Sequence, residues 1–315
     1  MAGGITEFHY KLPGIPGGNR PGAHRSQSLG AGLAFATHVR LFDQPDPRRL
    51  DLRASLRDTR REWLVRANRQ RSSVTLQAIV DVSASMHFGS VCNKLAVVAD
   101  FIEALGYSAF RHGDAVSLMA FDHQLRDDLY IPVRSGRGVG QDMSAVLRAC
   151  VTEKDRAGVG GATISRISAN FRSRGRAAND DDHDKIISAL TACAERAASH
   201  RGLVFLVSDF HWPLERLTAV LDRLAHAFVV PIVVWDPAET EPPARGHWLS
   251  VRDAESGVQR NLWLRDTTRA SWRSNVKRRR DQIESLFSAR GLYPFYIEGH
   301  FDAEQLSQYF FEKTL

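Results

Sequence analysis

From Val74 onward, short apolar runs alternate with stretches in which apolar residues recur every three or four positions. The run Val74–Val80 has the length and composition of a strand. After it, spacings of three and four place one set of apolar residues on a single helical face: Leu95, Val98, Ile102, Leu105 and Ala109. The pattern therefore predicts a strand followed by a helix that begins near Cys92.

Later runs repeat this alternation. Three of them are rich in β-branched or aromatic residues, as in strands buried on both faces of a parallel sheet: Asp114–Phe121, Leu203–Val207 and Phe228–Trp235. Helices are predicted near 141–150, 184–200 and 214–226. This order predicts an α/β fold with a doubly wound, mostly parallel, Rossmann-like sheet. Because proline cannot donate to a sheet ladder, Pro231 is expected at a strand start or on an edge strand.

The C-terminal part of the chain, from about residue 240, is predicted to extend this domain. Two runs flank the turn-like sequence Ala254–Gly257 and indicate a β-hairpin, 247–252 and 259–265. An amphipathic helix is expected over Thr267–Arg290, and a last strand over Tyr293–Ile297. The segment Asp155–Asp182 has little periodicity, so we expect a long loop there.

The N-terminal residues 1–72 differ in composition from the rest of the chain. They are rich in Gly, Pro and Arg and contain few apolar repeats, so they are predicted to form an arm without a core of its own. We expect the arm to pack against the α/β domain of residues 73–315 through a sparse series of apolar residues: Leu50, Leu52, Leu56, Trp63 and Val65.

Composition narrows the class of protein. With 43% hydrophobic and 25% charged residues among 315, the chain has the make-up of an ordinary globular protein. A net charge of +6 favours acidic partners only weakly. The three cysteines, Cys92, Cys150 and Cys193, fit neither a disulfide framework nor a zinc knuckle. With no apolar run near the roughly 20 residues of a membrane helix and no signal-peptide pattern at the start, a cytoplasmic location is expected.

The loop after the first predicted strand carries the most informative chemistry. Asp81, Ser83 and Ser85 alternate along Asp81–Met86, so one carboxylate and two hydroxyls can project to one side of an extended loop. Asp209 follows the strand Leu203–Val207 and is expected at the same sheet edge. Hard oxygen ligands suit Mg²⁺ or another divalent cation such as Ca²⁺ or Mn²⁺. These four residues are therefore predicted to form a metal site.

Two other interpretations of these residues compete with the metal site. Ser83 and Ser85 could cap the next helix while Asp81 closes a turn. The sequence Ser208–His211 contains a nucleophile, an acid and a base, but neighbours at a strand end cannot all converge, and no GxSxG elbow or Walker loop is present. No Glu, His or Lys is placed by the sequence as a general base beside the predicted metal site, so we expect no enzymatic activity.

Together these motifs resemble a known family. The sequence Asp81–Met86 after a buried strand, then Arg111–Phe121, then a strand ending in Ser208-Asp-Phe, is similar to a von Willebrand factor A domain with its metal-ion-dependent adhesion site. With PGAHRSQSLGAG, DPRRLDLRASLRD and VVPIVVWDP in the same order along the chain, the sequence resembles the DUF58 branch of that superfamily.

The resemblance implies a divalent ion at the Asp81 loop and no catalysis by the domain itself. It also implies a MoxR-type AAA+ ATPase as partner and a chaperone-like role in the assembly of a client complex or in metal or cofactor insertion. The opening EFHYKLPG with RPGAH resembles members linked to methanol dehydrogenase maturation. In this family a third loop usually adds a Thr to the site. Thr163 is the candidate if residues 164–183 are an insertion, and counting back from Asp209 without a gap leads instead to Asp184.

The sequence therefore favours a non-enzymatic, metal-dependent protein-interaction module. The first alternative is a basic nucleic-acid-binding protein, whose binding would weaken steeply with salt whether or not a metal is present. The second alternative is a metal-dependent hydrolase.

Overall fold

The structure, a computed structural model, describes residues 7–12, 21–30, 34–90, 93–157, 178–200, 202–242, 248–252, 259–263 and 265–313. The strands within these residues are β1 (Pro21–Gly30), β2 (Ala34–Arg40), β3 (Leu64–Ser72), β4 (Thr75–Asp81), β5 (Ala115–Phe121), β6 (Ile131–Arg134), β7 (Gly202–Ser208), β8 (Phe228–Trp235), β9 (Trp248–Arg252), β10 (Gln259–Trp263) and β11 (Phe295–Glu298). The α-helices are α1 (Leu52–Arg57), α2 (Lys94–His112), α3 (Val139–Ala157), α4 (Ala178–Ala197), α5 (Leu217–Arg223), α6 (Pro237–Thr240), α7 (Asp266–Ser288) and α8 (Ala303–Lys313).

Six strands form the central sheet, in the order β11-β8-β7-β4-β5-β6. All neighbouring pairs are parallel except β5 and β6, which are antiparallel. The predicted α/β class with a mostly parallel, Rossmann-like sheet is therefore confirmed. Strands β4 and β7 lie side by side at the centre, and the strands that follow each of them along the chain extend the sheet in opposite directions.

Helices cover both faces of this sheet because its strands alternate their side chains between two apolar cores. On β4, Leu76, Ala78 and Val80 belong to the core that α2, α3 and α8 cover. Ile79 belongs to the opposite core, which α4, α5 and α7 cover. None of the helices among the described residues combines the length and the apolar character that a membrane crossing requires.

Several element boundaries differ from the prediction. Helix α3 spans 19 residues and α4 begins at Ala178, so both ends of the expected loop over Asp155–Asp182 are helical. Residues 158–177 lie outside the described residues. The predicted hairpin is confirmed, since β9 and β10 pair antiparallel. Strand β6 and helix α8 were not predicted.

The expectation for Pro231 was wrong. This residue lies inside β8, which pairs with β7 on one side and β11 on the other, so it marks neither a strand start nor an edge. The ladder between β8 and β11 begins only at Ile232. Pro231 is tolerated because no ladder hydrogen bond is required on that side at its position.

The N-terminal arm contains its own sheet, with strand order β1-β3-β2. The expectation that the arm packs against the α/β domain through its sparse apolar series was largely wrong. Val65 is buried, but Leu52, Leu56 and Trp63 are exposed. Instead, Phe8 and Tyr10 lie in the core of the α/β domain. The Tyr10 hydroxyl donates a hydrogen bond to the buried Asp114 carboxylate. Burial and the negative charge of this carboxylate together raise the pKa of Tyr10.

Candidate functional site

The predicted site lies at the carboxyl ends of the two central strands. Asp81 is the last residue of β4, and Asp209 directly follows β7. Because β4 and β7 are neighbours from which the chain diverges in opposite directions, their ends border the crevice in which doubly wound sheets bind ligands. Both carboxylates are completely buried.

The loop after β4 brings the Asp81 carboxylate and two hydroxyls together. Asp81 Oδ1 accepts a 2.9 Å hydrogen bond from the backbone N–H of Ser83, and the Ser83 and Ser85 hydroxyl oxygens lie 3.2 Å apart. Ser83 precedes a 3₁₀ helix over Ala84–His87 but makes no side-chain cap. The cap of α2 is supplied instead by Asn93, so the two serines do not cap that helix.

The second oxygen of Asp81 is held by the last residue of β7 and by a residue that follows this strand. Asp81 Oδ2 accepts from the Ser208 hydroxyl at 2.7 Å and from the Trp212 indole Nε1 at 3.2 Å. Burial and repulsion from the Asp209 carboxylate raise the pKa of Asp81 to about 6. Asp81 is thus a buried acid that has no direct cationic partner among the described residues.

Asp209 does have such a partner. The Lys94 ammonium lies 2.8 Å from Asp209 Oδ2 and 3.0 Å from Glu239 Oε1, and all three side chains are buried. Although burial opposes ionisation of the acids, Lys94 holds the pKa of Asp209 and that of Glu239 below their ordinary values. Burial lowers the pKa of Lys94, but the two carboxylates outweigh it and the net shift is upward.

Local structure explains how Lys94 and Glu239 reach the site. Lys94 is the first residue of α2, and Glu239 belongs to the short helix α6, whose capping box joins Asp236 and Glu239. The Ser90 backbone N–H and hydroxyl both donate to Asp236, at 2.8 Å and 2.5 Å. These bonds fix the loop before α2 against the segment after β8.

Helix α7 supports the other side of the site. Phe210 has a positive φ of 51°, a left-handed conformation that costs free energy for a residue with a side chain. The Arg279 guanidinium donates to the carbonyl oxygens of Phe210 and Trp212. Arg279 thereby positions the turn that carries Trp212 to Asp81.

The structure therefore brings Asp81, Ser83, Ser85 and Asp209 into one hydrogen-bonded cluster, in which the Ser85 hydroxyl also bonds Asp209. Thr163 lies outside the described residues. Asp184, the other position considered for the third loop, is exposed on α4 and pairs with Arg216.

Sequence reasoning missed Lys94, Glu239, Ser208 and Trp212. The sequence placed no Glu, His or Lys beside the site as a general base, whereas the structure places Lys94, Glu239 and His211 there as an ion-paired group, with His211 Nε2 3.8 Å from Glu239 Oε2. The Asp236-Pro-Ala-Glu239 sequence is a recognisable capping box, but nothing in it indicates that Glu239 faces Asp209.

The donor set determines what cation these residues could hold. The Ser83 and Ser85 hydroxyl oxygens lie 3.2 Å apart, and two ligand oxygens about 3 Å apart match neighbouring positions around an octahedral Mg²⁺. Asp81, Ser83 and Ser85 thus fit a divalent ion, whereas Asp209 Oδ2 is bound to Lys94. Among the described residues no group of three His, Cys, Asp or Glu side chains has the arrangement of a metal site, so hydroxyls would have to contribute.

Comparison with known proteins adds a family. The sequence profile described as "Protein of unknown function DUF58" matches residues 39–282. Uncharacterized proteins of Mycobacterium tuberculosis (strain H37Rv) and Mycobacterium bovis are each 29% identical over 187 residues, covering 58% of this chain and 49% of theirs. The chain thus spans about half the length of these curated relatives.

Two solved structures are similar at low sequence identity. A conserved hypothetical protein BatB from Bacteroides thetaiotaomicron is 14% identical, covers 76% of this chain and 98% of its own, and has a TM-score of 0.39. An aerotolerance-related membrane protein from Bacteroides fragilis is 13% identical, covers 77% and 98%, and has the same TM-score.

Proposed function

Because the chain belongs to the DUF58 family, we propose that it is a non-enzymatic, metal-dependent protein-interaction module that works beside a MoxR-type AAA+ ATPase in the cytoplasm. The observation that carries this proposal is the arrangement of the Asp81 carboxylate and the Ser83 and Ser85 hydroxyls at the carboxyl ends of the central strands. Neither serine caps α2, so both hydroxyls can serve as ligands.

Asp81, Ser83 and Ser85 would hold the ion, which we propose to be Mg²⁺ or another divalent cation. A bound ion would supply a positive charge able to accept a carboxylate from a partner protein. Asp81 contributes the negative charge that attracts the cation. Ser208 and Trp212 orient its carboxylate by donating hydrogen bonds to Oδ2. Lys94 keeps Asp209 ionised and fixed, so the site keeps its shape before any ion binds.

The loop that carries Asp81, Ser83 and Ser85 extends from the buried site to the surface. Gly89 and Ser90 are exposed, while Ala84 and His87 are half-buried, so the loop between β4 and α2 reaches the surface. This loop also contacts the segment after β8 through Ser90 and Asp236. A partner that binds this loop would therefore contact residues that follow Asp81 in the chain and that are hydrogen-bonded to Asp236, the capping-box partner of Glu239.

By family resemblance, the ATPase is the first partner to test and a client such as a methanol dehydrogenase assembly is the second. We propose a chaperone-like role in which the module recognises the client during assembly or during metal or cofactor insertion. The chain's net charge of +6 would assist encounter with an acidic surface.

The decisive experiment has two parts. First, Mg²⁺ is titrated into the full chain while thermal unfolding is followed, because an ion that binds only the folded state raises the melting temperature. We expect a rise for the wild type and for Asp222→Ala, an exposed acid that pairs with Arg290, and no rise for Asp81→Ala. An equal rise in all three proteins would reject the Asp81 site.

Second, tagged protein is recovered from the native host with and without EDTA, and its partners are identified by mass spectrometry. Recovery of an AAA+ ATPase that is lost with EDTA and with Asp81→Ala supports metal-mediated capture. The same partners in every sample would reject it. Hydrolysis of a model ester or nucleotide that Asp81→Ala abolishes would replace this proposal with the metal-dependent hydrolase.

A further inference from the structure

Large apolar side chains are exposed at one end of the small N-terminal sheet. Phe42 is 94% exposed, Leu56 84%, Leu52 58% and Trp63 56%. Burial of such side chains is normally favourable by about 1.5–3 kcal/mol each, so a group of four in water requires an explanation. The α/β domain does not cover these four side chains. The arm residues that belong to the core of that domain are Phe8 and Tyr10.

These four residues lie on segments that are joined by hydrogen bonds at the start of β3. The backbone N–H of Leu41 donates to the carbonyl of Trp63 at 2.7 Å, which brings Phe42 next to the start of β3. The Leu64 N–H donates to the Ser55 hydroxyl at 2.9 Å, which brings α1 to the same place. Leu52 and Leu56 are four positions apart and share a face of α1. We call these four side chains the tip surface.

Arginines are frequent in the segments that carry the tip surface. Between Arg40 and Arg69 the sequence has nine arginines and five acidic residues. Four of the arginines are exposed and form no ion pair with a described residue: Arg53, Arg57, Arg60 and Arg61. By contrast, Arg40 is paired with Glu62, and Arg49 with Asp46. The tip surface therefore combines apolar side chains with positive charge that the described residues leave available to an anion.

We propose that the tip surface binds the face of a lipid bilayer that contains anionic phospholipids. Phe42 and Leu56 are almost fully exposed, so they protrude, and a protruding side chain can enter the headgroup region of a bilayer without a complementary groove. Trp63 belongs to the residue type that prefers that interface. The neighbouring arginines would meet the lipid phosphates, each contributing about 1 kcal/mol near an anionic surface.

This proposal does not depend on the Asp81 site. The tip surface lies on α1, on the residue directly before β3 and on the turn after β2, whereas Asp81 and Asp209 lie at the ends of strands of the central sheet. It also requires no membrane-spanning helix, because interfacial binding uses the apolar area and charge of a surface.

The test is flotation of the full chain with vesicles of phosphatidylcholine, with and without phosphatidylglycerol. We expect the wild type to float with the anionic vesicles and much less with the neutral ones. Phe42→Ser/Leu56→Ser and Arg53→Glu/Arg57→Glu should each reduce the bound fraction at least about tenfold. Phe311→Ser is the matched control, since Phe311 is 73% exposed on α8, and it should float like the wild type.

Because every substituted side chain is exposed, the variants should fold, which circular dichroism will verify. The proposal is overturned if the wild type does not float with anionic vesicles, or if the Phe42→Ser/Leu56→Ser protein floats as well as the Phe311→Ser protein. Concentration-dependent self-association of the wild type, lost in Phe42→Ser/Leu56→Ser and without vesicle binding, would assign the tip surface to a protein contact instead.

Discussion

The ammonium of Lys94 lies 2.8 Å from the carboxylate of Asp209, and both are buried at the carboxyl end of the central sheet. Lys94 also bonds Glu239, so one cation serves two acids. A charge taken out of water is tolerated only when it is paired and hydrogen-bonded. Lys94 therefore makes Asp209 a fixed part of the site in the absence of any ion.

Replacing Lys94 by Met should strongly destabilise the protein. Asp209 and Glu239 would remain as buried carboxylates without a cation, and loss of one member of a buried pair costs about 3–5 kcal/mol. The measurement is the free energy of unfolding in urea at neutral pH with EDTA.

The double variant Lys94→Met/Glu239→Gln provides the control. It removes one of the two uncompensated charges, so its free energy of unfolding should lie between those of the wild type and Lys94→Met. A loss of less than about 1 kcal/mol in Lys94→Met, the range of an exposed ion pair, would show that these groups are not paired in a dry environment.

The pH dependence of stability should report the Asp81 carboxyl. Its pKa is raised to about 6 in the folded protein by burial and by the Asp209 carboxylate. A raised folded-state pKa means that the protonated acid favours folding. Its contribution is complete below the unfolded pKa, near 4, and is lost as the pH rises through 6.

The comparison is between the wild type and Asp81→Asn, unfolded in urea with EDTA at several pH values from 4 to 8. The wild type should lose stability relative to Asp81→Asn as the pH rises, by an amount on the order of 3 kcal/mol. Only the change in this difference with pH is interpreted, because the amide also alters the bonds to Ser208 and Trp212. Parallel pH profiles would contradict the raised pKa.

Arg279 should be required for the turn that carries Trp212. Its guanidinium donates hydrogen bonds to the carbonyl oxygens of Phe210 and Trp212. Each buried acceptor that loses its donor and stays unsatisfied costs about 1–3 kcal/mol of stability. We expect Arg279→Ala to lower the free energy of unfolding by about 2–4 kcal/mol and to change the near-UV circular dichroism of the tryptophans.

The neighbouring Arg278 supplies a matched control on α7. It is exposed and bonds only the Asn275 side chain among the contacts that the described residues make, so Arg278→Ala should change stability by no more than about 0.5 kcal/mol. Equal effects of the two substitutions would contradict a positioning role for Arg279.

The sequence was sufficient to predict the central strands and the acids that follow them. Apolar runs identify β4 and β7, and the rule that parallel strands end at one edge places Asp81 near Asp209. Lys94 could not be predicted in the same way. It begins a helix thirteen positions after Asp81, and only the packing of α2 against the segment after β8 directs its side chain to Asp209 and Glu239.

The arm shows a second limit of sequence patterns. Leu52, Leu56 and Trp63 form an apolar series, but periodicity identifies an apolar face without identifying what covers it. Leu52 and Leu56 lie on α1 and Trp63 directly precedes β3, and all three side chains stay exposed. Phe8 and Tyr10, which lie in the core of the α/β domain, precede that sheet in a short segment with no periodic pattern.

Phe8 should therefore contribute far more stability than any exposed apolar residue of the arm. Its ring is completely buried, with centroids of four other phenylalanine rings at 6.2–6.4 Å: Phe101, Phe205, Phe301 and Phe310. Its backbone N–H donates to the Ser108 hydroxyl at 2.9 Å. Phe8→Ala would open a cavity that these rigid elements cannot fill, so we expect a loss of about 3–5 kcal/mol in the free energy of unfolding.

Phe42→Ala is the natural comparison, because it removes the same atoms from a side chain of the same arm that is 94% exposed. It should change the free energy of unfolding by no more than about 0.5 kcal/mol. If both substitutions had small effects, the contact between residues 7–12 and the α/β domain would contribute little to folding. A large effect of Phe42→Ala alone would instead place the stabilising contact of the arm at the tip surface, against the burial of Phe8.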